Sequence, residues 1–282
     1  MRATTSEELE AVAGVAAELG VGPVTPVVVS LAKHTVVRLA PLPLVARVRS
    51  TVGLGEARAD LAHEVSVANY LAARHAPVVR TARSIDPGPH VRDRCTMTIW
   101  EFTPHRAVAS DADAWLAARA LRQFHEAFAP FGDALPLFTA AIDGCGDLAA
   151  TSKWTPSLGA GDRQFLSRLY AQLREALSGY TYRSTPLHGD AHLGNALLTK
   201  AGAVWGDLES VCSGPREWDV ACLPVSTWPA FDGVDLDLTR CLADLRSLCV
   251  AVWCWADYDR SLQVNEAAEH HLRSLRTRFG YG

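Results

Sequence analysis

The chain has 282 residues, enough for about two domains and a sizeable buried core. Hydrophobic residues at 49% and charged residues at 21% fall in the ordinary globular range, which excludes disorder and a fibrous repeat. With 27 Lys and Arg against 31 Asp and Glu the net charge is −4, which argues against a general nucleic-acid binder, because neutralising phosphates takes a basic excess.

The charge is unevenly spread. Residues 1–101 carry 11 basic and 10 acidic side chains, whereas residues 102–282 carry 16 and 21. The seven cysteines are odd in number and form no C-x-x-C pair, so neither a disulfide framework nor a zinc knuckle is expected, and reduced, mostly buried thiols are. Glu7, Glu8 and Glu10 stand where a signal peptide would need an apolar run, and no stretch approaches the roughly 18 apolar residues of a membrane span. The expectation is a soluble, cytoplasmic protein without membrane partners.

Thr5 and Glu8 have capping-box spacing, and Leu9, Val12, Ala13, Ala16 and Leu19 recur at helical intervals up to Gly20, so a short helix opens the chain. Three β-branched and apolar runs follow, at 23–32, 34–40 and 43–50, and predict an antiparallel meander. Leu61, Val65, Ala68 and Leu71 return to a helical period between Glu56 and Arg74, after which strands are expected near Thr81–Ile85 and Cys95–Phe102. Beyond Pro104 long helices are predicted at Asp111–Phe128 and Asp162–Leu177, with a loop-rich connection at 130–161 that leaves room for short helices. Short apolar runs alternate with turns over 186–211, and Glu217–Trp228, Leu236–Tyr258 and Asn265–Phe279 are predicted helical. The fold class is α+β, with a small antiparallel-sheet lobe at 1–101 and a larger, mostly helical lobe at 102–282.

The chemistry concentrates in His188-Gly189-Asp190-Ala191-His192-Leu193-Gly194-Asn195, followed twelve residues later by Asp207 in Trp205-Gly206-Asp207-Leu208-Glu209. Asn195 and Asp207 offer hard oxygens to Mg²⁺, which takes the rest of its shell from water and substrate phosphates. Asp190, on a loop beside them, has the chemistry to orient a hydroxyl and take its proton. His188 and His192 are not read as zinc ligands, since no third ligand neighbours them.

This H-G-D-x-x-x-x-N loop, the later Asp and the Pro215-Arg216-Glu217-Trp218-Asp219 segment resemble the aminoglycoside phosphotransferase and choline kinase-like branch of the protein-kinase fold. The resemblance implies Asp190 as catalytic acid/base, Asn195 and Asp207 as magnesium ligands, and His188 and Asp219 as supports of the catalytic loop. It implies two lobes with Mg·ATP bound in the cleft between them, and a small-molecule hydroxyl as acceptor. Arg47 on the third strand and Glu64 seventeen residues on would then be the phosphate-gripping cation and its helix glutamate, although the family has lysine there; Lys33 or Arg38 is the alternative. The nucleotide loop, Ser30 to Thr35, contains no glycine, so Ser30 and His34 become the candidate donors. Trp100, Glu101 and Phe102 fall at the hinge position, where adenine is expected.

Acids from Asp232 to Glu269 suit a cationic acceptor such as an aminoglycoside, while Arg273, Arg276 and Arg278 near the end point to a less cationic one. Glu209, Asp232, Trp255 and Asp259 are the acceptor-side candidates, and of Trp253 and Trp255, two apart on one helix, only one can face the cleft. Antibiotic kinase, metabolite kinase acting on an amino alcohol or sugar, and a pseudokinase without turnover all remain open, as monomer or homodimer.

Overall fold

A computed structural model describes residues 5–31, 34–50, 54–258 and 261–280. Contacts group the chain into two compact units, residues 1–128 with 194–210, and residues 129–193 with 211–282.

The first unit is built on a five-stranded antiparallel sheet of order β1-β2-β3-β5-β4. Its strands are β1 (Thr25–Leu31), β2 (Thr35–Ala40), β3 (Leu44–Ser50), β4 (His90–Arg92) and β5 (Cys95–Glu101). Period-two alternation sends Val37, Leu39, Ala46 and Val48 to a core shared with Val12 and Val15 of α1 (Thr5–Glu18). Glu8, expected in the helix cap, is buried there and accepts hydrogen bonds from Thr35 Oγ1 and Ser50 Oγ, each at 2.6 Å. Helix α2 (Leu54–Ala73) follows the meander as predicted.

The strand predicted at Thr81–Ile85 is not formed; Thr81 makes only an isolated bridge to Trp100. The segment bonds β5 only at separated points, through Ala82 N to Ile99 O and Ile99 N to Pro87 O, rather than as a continuous ladder. Helix α3 (Asp111–Phe128) and the β-hairpin later in the chain at Ala196–Thr199 and Gly202–Trp205 also belong to this unit.

The second unit is mainly helical. Helix α4 (Thr139–Ala150) lies inside the loop-rich connection and α5 is Ala160–Ser178. Strand β6 (Thr185–Leu187) pairs antiparallel with a short strand at Cys212–Gly214, with Leu187 opposite Cys212. The helix predicted over Glu217–Trp228 is split into α6 (Glu217–Val220) and a 3-10 helix at Val225–Ala230, because Pro224 cannot continue the helical ladder. Helices α7 (Leu236–Ala256) and α8 (Leu262–Phe279) pack on α4, α5 and Trp218 through a core including Ile142, Leu166, Leu245 and Leu272. All seven cysteines are free thiols. No helix among the described residues is long and apolar enough to cross a membrane.

Candidate active site

In the first unit the alternation that buries Ala46 and Val48 turns Val45 and Arg47 to the opposite face of β3, where they line a cavity of about 370 Å³. That volume is in the range of small-molecule sites. The same cavity is lined by Ser30, His34, Glu64, Trp100, Glu101, Phe102, Asn195 and Asp207, so all nine residues expected to bind nucleotide or metal surround one space.

Arg47 is the hub. Its Nη1 donates to Glu64 Oε1, and its Nη2 donates to Asp207 Oδ1 at 2.6 Å and to Glu209 Oε2 at 3.2 Å. The fork therefore spans carboxylates that a single ammonium could not meet in the same geometry. Burial works to lower the Arg47 pKa, but Glu64, Asp207 and Glu209 together raise it above the ordinary guanidinium value. The Glu64 side chain is fully buried, and burial pushes its carboxyl up to about 7 despite the opposing pull of Arg47. Its Oε1 also accepts from Leu208 N at 3.2 Å, whereas Oε2 has no hydrogen-bond partner among the described residues.

Asp207 follows the β-hairpin in a left-handed conformation (φ 59°), which Asp tolerates better than most side chains. Gly206 N donates to Asn195 O at 2.9 Å and so ties the acid's segment to the amide's. A carboxylate and an amide oxygen on one cavity wall form a hard, sparse donor set, and no group of three metal-binding side chains occurs among the described residues. Such a set fits Mg²⁺, which retains water and takes phosphate oxygens, better than an ion that needs a full protein cage.

At the hinge position Trp100 is buried and its Nε1 donates to Thr98 Oγ1 at 2.9 Å. The amides of Glu101 and Phe102 donate to Arg80 O and Pro43 O and are therefore engaged within the fold. Glu209 departs from its expected acceptor-side place: its carboxylate lies on Arg47 and 2.7 Å from His34 Nε2, which links it to the nucleotide loop.

In the second unit Asp190 lies on the loop after β6. Asp219, fully buried, accepts from His188 N and Gly189 N at 2.8 Å each, and Trp218 Nε1 donates to Gly189 O at 3.0 Å. Gly189 has φ 82°, open to glycine at little cost, and the Asp190 amide donates to His188 Nδ1 at 3.3 Å. This scaffold leaves the Asp190 carboxylate partly exposed. Its Oδ1 accepts from Arg246 Nη2 of α7, and Oδ2 lies 3.7 Å from His192 Nε2. Sequence analysis did not single out Arg246; the available signal was a lone cation inside the apolar run from Leu245 to Ala256.

The acceptor-side candidates are redistributed. Trp255 is buried and stacked on Tyr258 with ring centroids 4.4 Å apart, while Trp253, with Trp218, lies beneath the Arg246 guanidinium. The Asp232 carbonyl accepts from Arg216 Nη2, and Asp259 lies outside the described residues. Arg276 and Arg278 are paired with Asp162 and Asp244, so neither is an unbound cation of the tail.

The model of the phosphotransferase enzyme family (APH) matches residues 14–260. The chain belongs to this family. Family members are small-molecule kinases, and so is this chain. Solved structures share its fold at low identity. The GDP and kanamycin complex of APH(2")-IIia superposes with a TM-score of 0.74 at 12% identity, covering 96% of this chain and 99% of that one. The amicoumacin kinase hAmiN, in complex with AMP-PNP, Ca²⁺ and Ami, has a TM-score of 0.69 at 11% identity, covering 90% and 88%. The choline kinase LicA from Streptococcus pneumoniae gives 0.70 at 10%, covering 96% and 98%. Comparison with curated proteins returns no match.

Proposed function

We propose that this phosphotransferase moves the γ-phosphate of ATP to a hydroxyl of a small molecule, an antibiotic of sugar or nucleoside character or a closely related alcohol. The observation that carries the reading is the single cavity on which the expected phosphate, hinge and metal residues converge. Structures of similar fold hold nucleotides, and two of them hold the antibiotic-type ligands named with them.

In this reading Arg47, oriented by Glu64, contacts phosphate oxygens, and Asn195 and Asp207 hold Mg²⁺, which supplies charge neutralisation to the phosphates. Asp190 accepts the acceptor's hydroxyl proton as the oxygen–phosphorus bond forms and the bond to ADP breaks. The Asp219 hydrogen bonds fix the loop so that this carboxylate is placed before substrate arrives. Positioning and charge, rather than covalent catalysis, supply the rate. The two lobes stay at 1–101 and 102–282 in this proposal, in a cytoplasmic monomer or homodimer.

A coupled ADP-release assay with Mg·ATP and a mixed panel of aminoglycosides, macrolides, nucleoside antibiotics, choline and amino sugars tests it. Asp190→Ala is expected to lower acceptor-dependent ADP release by at least about 100-fold while ATP binding persists. Asp207→Ala is expected to lose Mg-dependent nucleotide binding as well. Near-normal turnover in either variant refutes the assignment, and nucleotide binding without turnover on any acceptor or on water would make the chain a sequestering protein.

A further inference from the structure

Arg246 is mid-way along α7, its side chain only 12% exposed, with its guanidinium over the rings of Trp218 at 5.5 Å and Trp253 at 5.6 Å. Its Nη2 donates to Asp190 Oδ1, and its Nη1 lies 3.5 Å from Gly189 O. Burying a cation is costly unless it is paired, and here the ion-pair partner is the candidate catalytic carboxylate. Two aromatic faces and one carboxylate hold a planar fork in a way an ammonium would not reproduce.

We propose that Arg246 is a positioning and specificity residue: it holds Asp190 by one oxygen, and its charge cancels the pull that a bare Asp190 would exert on an ammonium group beside the reacting hydroxyl. The inference rests on Asp190 being the catalytic base, and it narrows the acceptor class to alcohols uncharged or acidic at the reacting end. Facing Arg246 are Asp190, the thiols Cys222 and Cys249, and the imidazole of His271, so the pair is close to neutral as a unit. A bare carboxylate would attract an ammonium, whereas this paired one does not.

Three acids at the start and middle of α7 are taken up by local partners. Asp235 caps α7 by accepting from the amides of Asp237 and Leu238, Asp237 pairs with Arg240, and Asp244 pairs with Arg278. The aminoglycoside expectation drawn from the count of acids in this stretch is weakened because these are spent on local partners.

The test compares wild type, Arg246→Met and Arg246→Lys with Mg·ATP varied up to saturation on uridine and N-acetylglucosamine as neutral probes, on kanamycin and choline as cationic ones, and on water alone. Arg246→Met is expected to lower kcat about 100-fold on the neutral probes or on water, with KM for ATP nearly unchanged, because a displaced catalytic group loses that much. Arg246→Lys, which keeps charge but not the fork, is expected in between. Kanamycin or choline phosphorylated by the wild type as fast as the neutral probes, or wild-type kcat in Arg246→Met, overturns the proposal. Absence of all ATP turnover in the wild type rejects the kinase reading instead. Melting curves of Arg246→Met, Asp190→Asn and the double variant then still decide the pairing: non-additive shifts support it and additive shifts overturn it.

Discussion

Replacing Arg47 by Met removes the guanidinium shared by three carboxylates, Glu64, Asp207 and Glu209, the first of them fully buried. Deleting one partner of a buried ion pair typically costs about 3–5 kcal/mol. Glu64 has an escape, because its carboxyl is already raised to about 7 and can take a proton when the guanidinium is gone. The sign of the pH dependence follows. Glu64 is an acid whose pKa in the folded chain lies above its ordinary 4.5, so the folded state binds the extra proton between these values and stability falls as pH rises through that window. Without Arg47 the window extends above 7. At pH 6 both proteins hold the proton, and the variant loses little more than charge-assisted hydrogen bonds, about 1.5–3 kcal/mol. From pH 7 to 8 the deficit grows by up to about 1.4 kcal/mol, the free energy of one proton per pH unit. Differential scanning at pH 6, 7 and 8 reads this as an increasing gap in Tm, about 2–4 °C for each kcal/mol in a chain of this order of size. A gap equal at pH 6 and pH 8, or largest at pH 6, refutes the reasoning.

Asp219→Asn keeps one acceptor oxygen and places an N–H₂ against an amide donor of the catalytic loop, where His188 N and Gly189 N each need an acceptor. A stability loss of about 1–3 kcal/mol in urea unfolding is expected, with a larger fall in kcat than in ATP affinity; unchanged kcat would show that the loop does not depend on this clamp. His271, whose Nδ1 lies 2.9 Å from Ser247 Oγ, is held below the ordinary 6.5 by burial first and then by His270 and Arg246. Protonating it therefore costs stability that is intact above pH 6.5 and lost as pH falls through that value toward its folded pKa. His271→Gln is expected to flatten the fall in Tm between pH 7 and 5, and an identical slope in variant and wild type would refute this.

Local patterning in the sequence carried the elements and most of the chemistry. The alternation in β2 and β3 places core and cavity residues on opposite faces, which is a property of the extended chain itself. The Asp190 loop, Asn195 and Asp207 were legible because their chemistry lies within eighteen residues, and Arg47 and Glu64 because the family resemblance calls for a strand cation and a helix glutamate. Proline punctuation was a weak point: Pro224 interrupted a helix that apolar spacing had extended over Glu217–Trp228.

Tertiary structure decided which charges meet. Arg246 reaches Asp190 across 56 residues, Glu209 reaches His34 across 175, and which of Trp253 and Trp255 lies beside the cation depends on how α7 packs. Such pairings leave no periodic trace, since a hydrogen bond between distant segments is fixed by the burial of whole helices and strands rather than by the neighbours of either residue. The acids counted along the chain look like one anionic surface in sequence, and only their folded partners, the α7 amides, Arg240 and Arg278, show where that charge is spent.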